Sequence, residues 1–236
     1  MGDKTVAAPP WHGQAFDPAT LPQVGGPLPA ADAPNLERAA EALGGSVVKA
    51  RVQLSHLRHC ENALRGGQPR DAIRAARAGV AAYPTATLAR TCLIWALRAS
   101  GSDASEVLAV AREVLAIDPT NFYALEAGAV ALDSLGRRAE SAPLWVRLAS
   151  TDTLNLELTE RALYSLHDGG SLDVGETLAL RAAATFPDHL PFLRHQWRIG
   201  YARQSWPVAI AAGETLLARD STARQDPVFF RRLVLA

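Results

Sequence analysis

The stretch TNFYALEAGAVALDSLGRRAESAPLW (residues 120–145) decides the fold. Tyr123, Glu126, Val130 and Asp133 recur at helical spacing and share one face of a first helix. Gly136 interrupts the pattern where that helix must hand over to a second, because glycine reaches unusual backbone geometry at little cost. The second helix continues through ESAPLWVRLASTDT (140–153). A single hairpin of this kind cannot bury its own apolar face, so internal repetition is the next thing to look for.

The pattern does repeat. Helix-like segments of the same length lie at DAIRAARAGVAAYP (71–84), EVLAVAREVLAIDP (106–119), VGETLALRAAATFP (174–187) and VAIAAGETLLARDS (208–221). Their last residues, with Thr153, are spaced 35, 34, 34 and 34 apart. The second residues are Ala72, Val107, Ser141, Gly175 and Ala209, small in most segments. Gly66-Gly67, Gly101, Gly136 and Gly169-Gly170 fall where one helix passes to the next. Cap chemistry agrees: Gln68-Pro69 puts proline in a first turn, Asp103-x-x-Glu106 has capping-box character, and Asp226-Pro227 reads as an N-cap followed by proline.

This organisation resembles the tetratricopeptide repeat, a helix–turn–helix unit of about 34 residues. Leu125, Ala129, Leu132 and Gly136 stand at that family's helix-A and turn positions, and Ser141 and Trp145 at its helix-B positions. The resemblance implies an all-α, right-handed superhelical solenoid of antiparallel helix hairpins. Residues 1–34 read as a Pro/Gly-rich tail or linker and residues 35–52 as a helical extension into the first repeat. Residues 53–223 then make five repeats, and residues 224–236 the first helix of an incomplete sixth. Its helix PVFFRRLVLA (227–236) carries Phe229, Phe230, Leu233 and Val234 with no polar helix to cover them. A solenoid end needs such a cover. The expectation is a longer parent protein, or self-association through this helix.

Packing within the repeat sets large against small. One position on helix A faces one on helix B, giving Cys60/Ala76, Trp95/Ala111, Ala129/Trp145, Leu163/Ala179 and Trp197/Gly213. An indole opposite alanine or glycine fills the crossing at native density, whereas two indoles would overfill it. Trp95, Trp145 and Trp197 are therefore assigned to the core. Unit one, with Cys60, Ala76 and Gly79, is underfilled, and the run NLERAAEAL (35–43) with Val47-Val48 is available to pack there. Cys60 and Cys92 are too few to indicate a disulfide framework, and Cys60 is expected to be a small buried side chain.

Catalytic signatures are missing from the sequence: it has no Gly-rich phosphate loop, HExxH, GxSxG or CxxC. His56-x-x-His59-Cys60 puts imidazoles and a thiol within one helical turn, but a zinc site wants four convergent ligands and a nucleophile wants an oxyanion hole. His167-Asp168 and His189 are read as isolated surface groups. The expectation is a non-enzymatic chain with no metal and no cofactor.

The 236 residues carry 24 basic and 24 acidic side chains, and this neutrality excludes a global basic field for nucleic acid. The balance is a cancellation of blocks. Residues 51–98 sum to +6, 118–176 to −6 and 194–236 to +4. The Arg70, Arg74 and Arg77 stripe is expected to face solvent. No apolar run approaches the roughly 18 residues of a membrane span. The compartment stays open between the cytoplasm and, with a signal removed before Met1, the periplasm or exterior.

In proteins that this chain resembles, helix A lines the concave groove and contacts the ligand. The corresponding face holds Tyr123, Glu126, Val130 and Asp133 in unit three. Glu157, Glu160, Tyr164, His167 and the adjacent Asp168 follow in unit four, and Arg194, Arg198 and Tyr201 in unit five. Such a groove is acidic in its middle and basic toward its C-terminal end, complementary to an extended peptide of alternating charge. The resemblance thus implies a scaffold whose partner is a protein or peptide, with no nucleic acid expected. The alternatives are a repeat segment of a larger, secreted or periplasmic protein, an RNA-binding helical repeat, and an enzyme using Cys60 with a histidine.

Overall fold

The computed structural model describes residues 10–11, 14–15, 47–226 and Phe229. Pro10–Trp11 and Gln14–Ala15 form a two-residue antiparallel pairing. The rest of the expected tail, the run 35–43, and Phe230, Leu233 and Val234 of the terminal helix lie outside the described residues.

Among the described residues the chain is built of ten α-helices: α1 (Val47–Arg65), α2 (Pro69–Ala82), α3 (Thr87–Ser100), α4 (Ala104–Ile117), α5 (Phe122–Ser134), α6 (Arg138–Thr151), α7 (Leu156–Asp168), α8 (Leu172–Thr185), α9 (Leu190–Ala202) and α10 (Trp206–Arg219). The even-numbered helices begin at residues 69, 104, 138, 172 and 206, so the sequence period reappears as a helix period. Two compact units are formed, residues 1–131 and 132–236, the division falling inside α5. In the first, α1 packs on α2 and α3, α2 on α3, and α3 on α4. In the second, α6 packs on α7, α7 on α8 and α9, α8 on α9, and α9 on α10.

The handover from odd to even helix is the same joint five times. Gly67, Gly101, Gly136 and Gly170 have φ of 65°, 70°, 71° and 75°, and Gln204 takes the fifth place at 62°. At each joint the next residue's amide reaches back to a helix carbonyl: Gln68 to Ala63, Ser102 to Leu97, Arg137 to Leu132, Ser171 to Leu166 and Ser205 to Gly200, all within 2.8–3.0 Å. This bond satisfies a carbonyl that the helix end would otherwise orphan, and the left-handed residue makes it reachable. The four glycines were legible in the sequence; Gln204 was not.

The return turns use carboxylates. Asp118 and Asp220 each accept from the amide and hydroxyl of the threonine two residues on. Those bonds favour the ionised form: Thr120 holds the Asp118 carboxyl below its ordinary value, and Thr222, with Arg194, draws Asp220 down to about 2. Asn121 and Asn155 cap α5 and α7 by accepting from Ala124 and Leu158 amides at 3.1 Å. Asp103 caps α4 by accepting from Ser105 at 2.7 Å, but the reciprocal half of the expected capping box is absent, because Glu106 instead pairs with Arg77 at 2.9 Å. Asp226 accepts from the Phe229 amide at 3.1 Å, as an N-cap does.

The small-residue expectation holds in the core. Trp145 and Trp197 are buried and Trp95 is half-buried, while Ala76, Ala111, Ala129 and Ala179 are closed to solvent. Phe229 corrects the picture of a wholly uncovered terminal face, since it is buried with Trp197, Ala209, Ala212, Leu216 and Ala223. Its ring centroid lies 4.5 Å from that of Trp197.

A larger correction concerns the cysteines. Cys60 and Cys92 form a disulfide joining α1 to α3, with Cα atoms 6.5 Å apart and both side chains fully buried. Cys60 is therefore neither ligand nor nucleophile, which removes the His56/His59/Cys60 constellation as a chemical site. Two cysteines do not make a framework, yet a pair 32 residues apart sits near one repeat period. That spacing was the missed signal.

Candidate functional site

The odd-numbered helices carry the residues singled out from the sequence, and the structure distributes them unevenly. In the second unit, α7 and α9 bring Tyr164 and Arg198 together. The Tyr164 ring meets His195 edge to face, centroids 4.7 Å apart, and the Arg198 guanidinium stands 5.8 Å from its centre. Tyr164 nonetheless remains 46% exposed. An aromatic ring clamped by its neighbours and still open to solvent is a low-entropy contact surface.

His195 was not identified in the sequence. It is 5% exposed, and its pKa is pushed down to about 4 by burial first, then by the charges of Arg198 and His167, with Asp168 opposing and His189 adding a smaller downward push. Imidazole at neutral pH is thus an uncharged spacer under Tyr164. The helical spacing from His195 to Arg198 puts both on one side of α9, and that signal was available.

Most of the expected groove charges are occupied by neighbours. Glu160 lies 2.5 Å from His189 Nε2, so His189 is a half-buried partner and not the isolated surface group expected. His167 likewise bonds Asp168 at 2.8 Å, and Asp168 also lies 3.6 Å from Arg138. Glu157 pairs along its own helix with Arg161, whose guanidinium stands over Trp145. Arg194 turns to the Asp220 carboxylate and to Thr222. Tyr201 is half-buried, packed between Trp197 and Trp206. Arg74 and Arg77 of the α2 stripe face solvent, paired to Asp71 and Glu106.

Asp133 is the centre of an internal network. Trp145 Nε1 donates to Oδ2 at 2.8 Å, while the hydroxyls of Ser141 and Ser165 donate to Oδ1. The donors sit on α6 and α7, so the carboxylate ties three helices together.

The first unit repeats the theme on a different pair of helices. Trp95 of α3 and Tyr123 of α5 meet edge to face at 5.2 Å. Glu126 is buried and receives a 2.7 Å bond from Arg98, and Val130 is half-buried. Aromatic contacts between successive odd helices are therefore a common element of both units. Among the described residues there is no cluster of three or more His, Cys, Asp or Glu side chains able to hold a metal, and no helix is long and apolar enough to cross a membrane.

Helical hairpins at a 34-residue period, closed by a left-handed joint, define a tetratricopeptide-like repeat fold, and solved structures agree. A double mutant of MamA from strain RS-1 matches with a TM-score of 0.55 at 15% identity, over 72% of this chain and 97% of that one. MamA from residue 41 onward, from Desulfovibrio magneticus RS-1, matches with a TM-score of 0.53 at 15% identity, over 72% and 98%. A tetratricopeptide repeat protein from Parabacteroides merdae ATCC 43184 matches with a TM-score of 0.55 at 13% identity, over 78% and 71%. At such identities the likeness is one of fold. No family model matches the chain, and no curated protein does.

Proposed function

We propose that the chain is a non-enzymatic scaffold that binds an extended protein segment along the face shared by α7 and α9. The observation that carries this reading is the Tyr164–Arg198 pair: an exposed ring fixed from below by buried His195, beside an exposed guanidinium. An extended segment laid there gains aromatic packing from Tyr164 and a charge-assisted hydrogen bond from Arg198 to an acidic side chain. The acidic neighbours Glu157, Glu160 and Asp168 are held by Arg161, His189 and Arg138. Recognition is thus centred on one aromatic–cationic pair, and the alternating charge read from the sequence contributes less.

A photo-crosslinking residue at Tyr164, compared with one at Arg74, tests the assignment. Adducts specific to position 164 that disappear in Arg198→Ala support it. Equal adduct patterns at the two positions would sink the face assignment and leave the fold untouched.

A further inference from the structure

A cleft of about 190 Å³ opens in the second unit where the end of α6, the start of α7 and the later half of α8 meet. Ala149, Thr159, Leu178 and Ala182 line it and are buried. The repeat explains why space is left there. The eleventh residue of α8 is Ala182, where α4, α6 and α10 hold the fully buried Val114, Leu148 and Leu216. The twelfth residue of α6 is Ala149, where α4 and α10 hold Leu115 and Leu217. The fourth residue of α7 is Thr159, where α5 and α9 hold Leu125 and Leu193. Three shortened side chains thus converge on one spot, and shortening without full collapse leaves a cavity. In α2 the eleventh residue is Gly79, but there the neighbours close in, an added Cβ lying 2.9 Å from the Ala89 Cβ.

The lining decides what fits. Ala149, Leu178, Ala182 and the half-buried Phe186 ring offer apolar surface. Thr159 spends its hydroxyl proton on the Asn155 carbonyl, and Thr185 spends its own on the Arg181 carbonyl, so neither keeps a donor for a ligand. Arg181 differs. It is exposed at the rim, and its guanidinium forms no hydrogen bond or ion pair with a described residue. The Thr153 hydroxyl, at the place of Pro119 and Pro187 in the flanking repeats, is likewise without a partner among the described residues.

An apolar cavity of roughly 150 Å³ admits benzene, so this volume takes a group of that size and a few atoms more. We propose that the cleft binds a small free carboxylic acid with a compact branched or aromatic body. The body packs on Ala149, Leu178, Ala182 and Phe186, and the carboxylate meets Arg181. Guanidinium and carboxylate pair through charge-assisted, two-pronged hydrogen bonds, which sets the orientation of the acid. The cleft shares no lining residue with the Tyr164–Arg198 face and is a second site.

Titration of the full chain with isocaproate, followed through backbone amide chemical shifts, tests this. Saturable shifts are expected within residues 149–159 and 178–186. Isocaproamide, the same body without the charge, is expected to bind at least about tenfold more weakly, and Arg181→Gln is expected to weaken isocaproate by a similar factor. Ala182→Leu restores the side chain of the flanking repeats and is expected to abolish saturable binding while the melting temperature holds. Should that variant melt lower, Arg181→Gln, at an exposed position, still decides the matter. Absence of saturable shifts would overturn the proposal, as would equal affinity for acid and amide or for wild type and Arg181→Gln. So would binding confined to an acetylated peptide ending in leucine, which presents the same carboxylate and side chain on a longer chain.

Discussion

Tyr164 on α7 and His195 on α9 meet edge to face with ring centroids 4.7 Å apart, the phenol outward and the imidazole buried. This contact makes stability depend on acid. The folded pKa of His195 is about 4, against about 6.5 when unfolded, so the unfolded chain binds a proton over that interval and the folded chain does not. Stability contributed by neutral His195 is complete above pH 6.5 and falls as the pH drops toward 4. The loss reaches roughly 3 kcal/mol. Urea unfolding at half-unit pH steps should show this slope, and His195→Gln should flatten it.

Gln204 occupies the left-handed position that glycine fills in the other four joints. A side chain there costs backbone energy that glycine avoids. Gln204→Gly is expected to raise unfolding free energy by about 0.5–1 kcal/mol, measured by chemical denaturation. A decrease would mean that the Gln204 side chain makes a compensating contact.

Two glycines should behave differently on substitution by alanine. At Gly136 an added methyl meets nothing within 4 Å, so Gly136→Ala costs only the positive φ, about 1 kcal/mol. At Gly169 the methyl would lie 2.8 Å from the Ala139 Cα and 2.7 Å from the Ser165 carbonyl oxygen. Gly169→Ala therefore forces backbone apart and is expected to cost roughly 2–3 kcal/mol. Thermal melts of the two variants, run side by side, rank them.

Removal of the Asp133 carboxylate strands the Trp145 indole N–H and takes one acceptor from Ser165, whereas Ser141 keeps the Arg138 carbonyl. Trp145 is 1% exposed, Ser141 0% and Ser165 1%, so none can turn to water. Asp133→Ala is expected to destabilise by about 2–4 kcal/mol, and Asp133→Asn by less because one acceptor oxygen survives. Trp145 fluorescence during unfolding reports both.

Periodicity carried most of the architecture, because the left-handed joint, the small residue at the crossing and the return turn all recur at one interval. A local signal repeated five times is hard to mistake. Side-chain pairing was another matter. Glu160 with His189, Arg98 with Glu126 and Arg194 with Asp220 are separated by 29, 28 and 26 residues, so each links successive odd helices or the turns beside them. Reading one helix at a time assigns such charges to solvent or to a ligand. Reading each residue against those a little under one period on would have set these pairs side by side, and Cys60 with Cys92. His195 escaped for a related reason: its spacing from Arg198 marks a shared side of α9, but its burial under Tyr164 depends on the adjacent odd helix.

The recurrent joint has a consequence for how such a chain can change length. Its bonds run between main-chain atoms, and its one demand is a residue able to adopt positive φ, which even glutamine meets. Cutting out or duplicating 34 residues from one joint to the next restores the same joint on both sides. A single inserted residue within a helix, by contrast, turns everything beyond it by about 100° around the axis and carries buried positions into water. The array is thus digital: whole hairpins can be gained or lost, while slips of one residue are penalised at once.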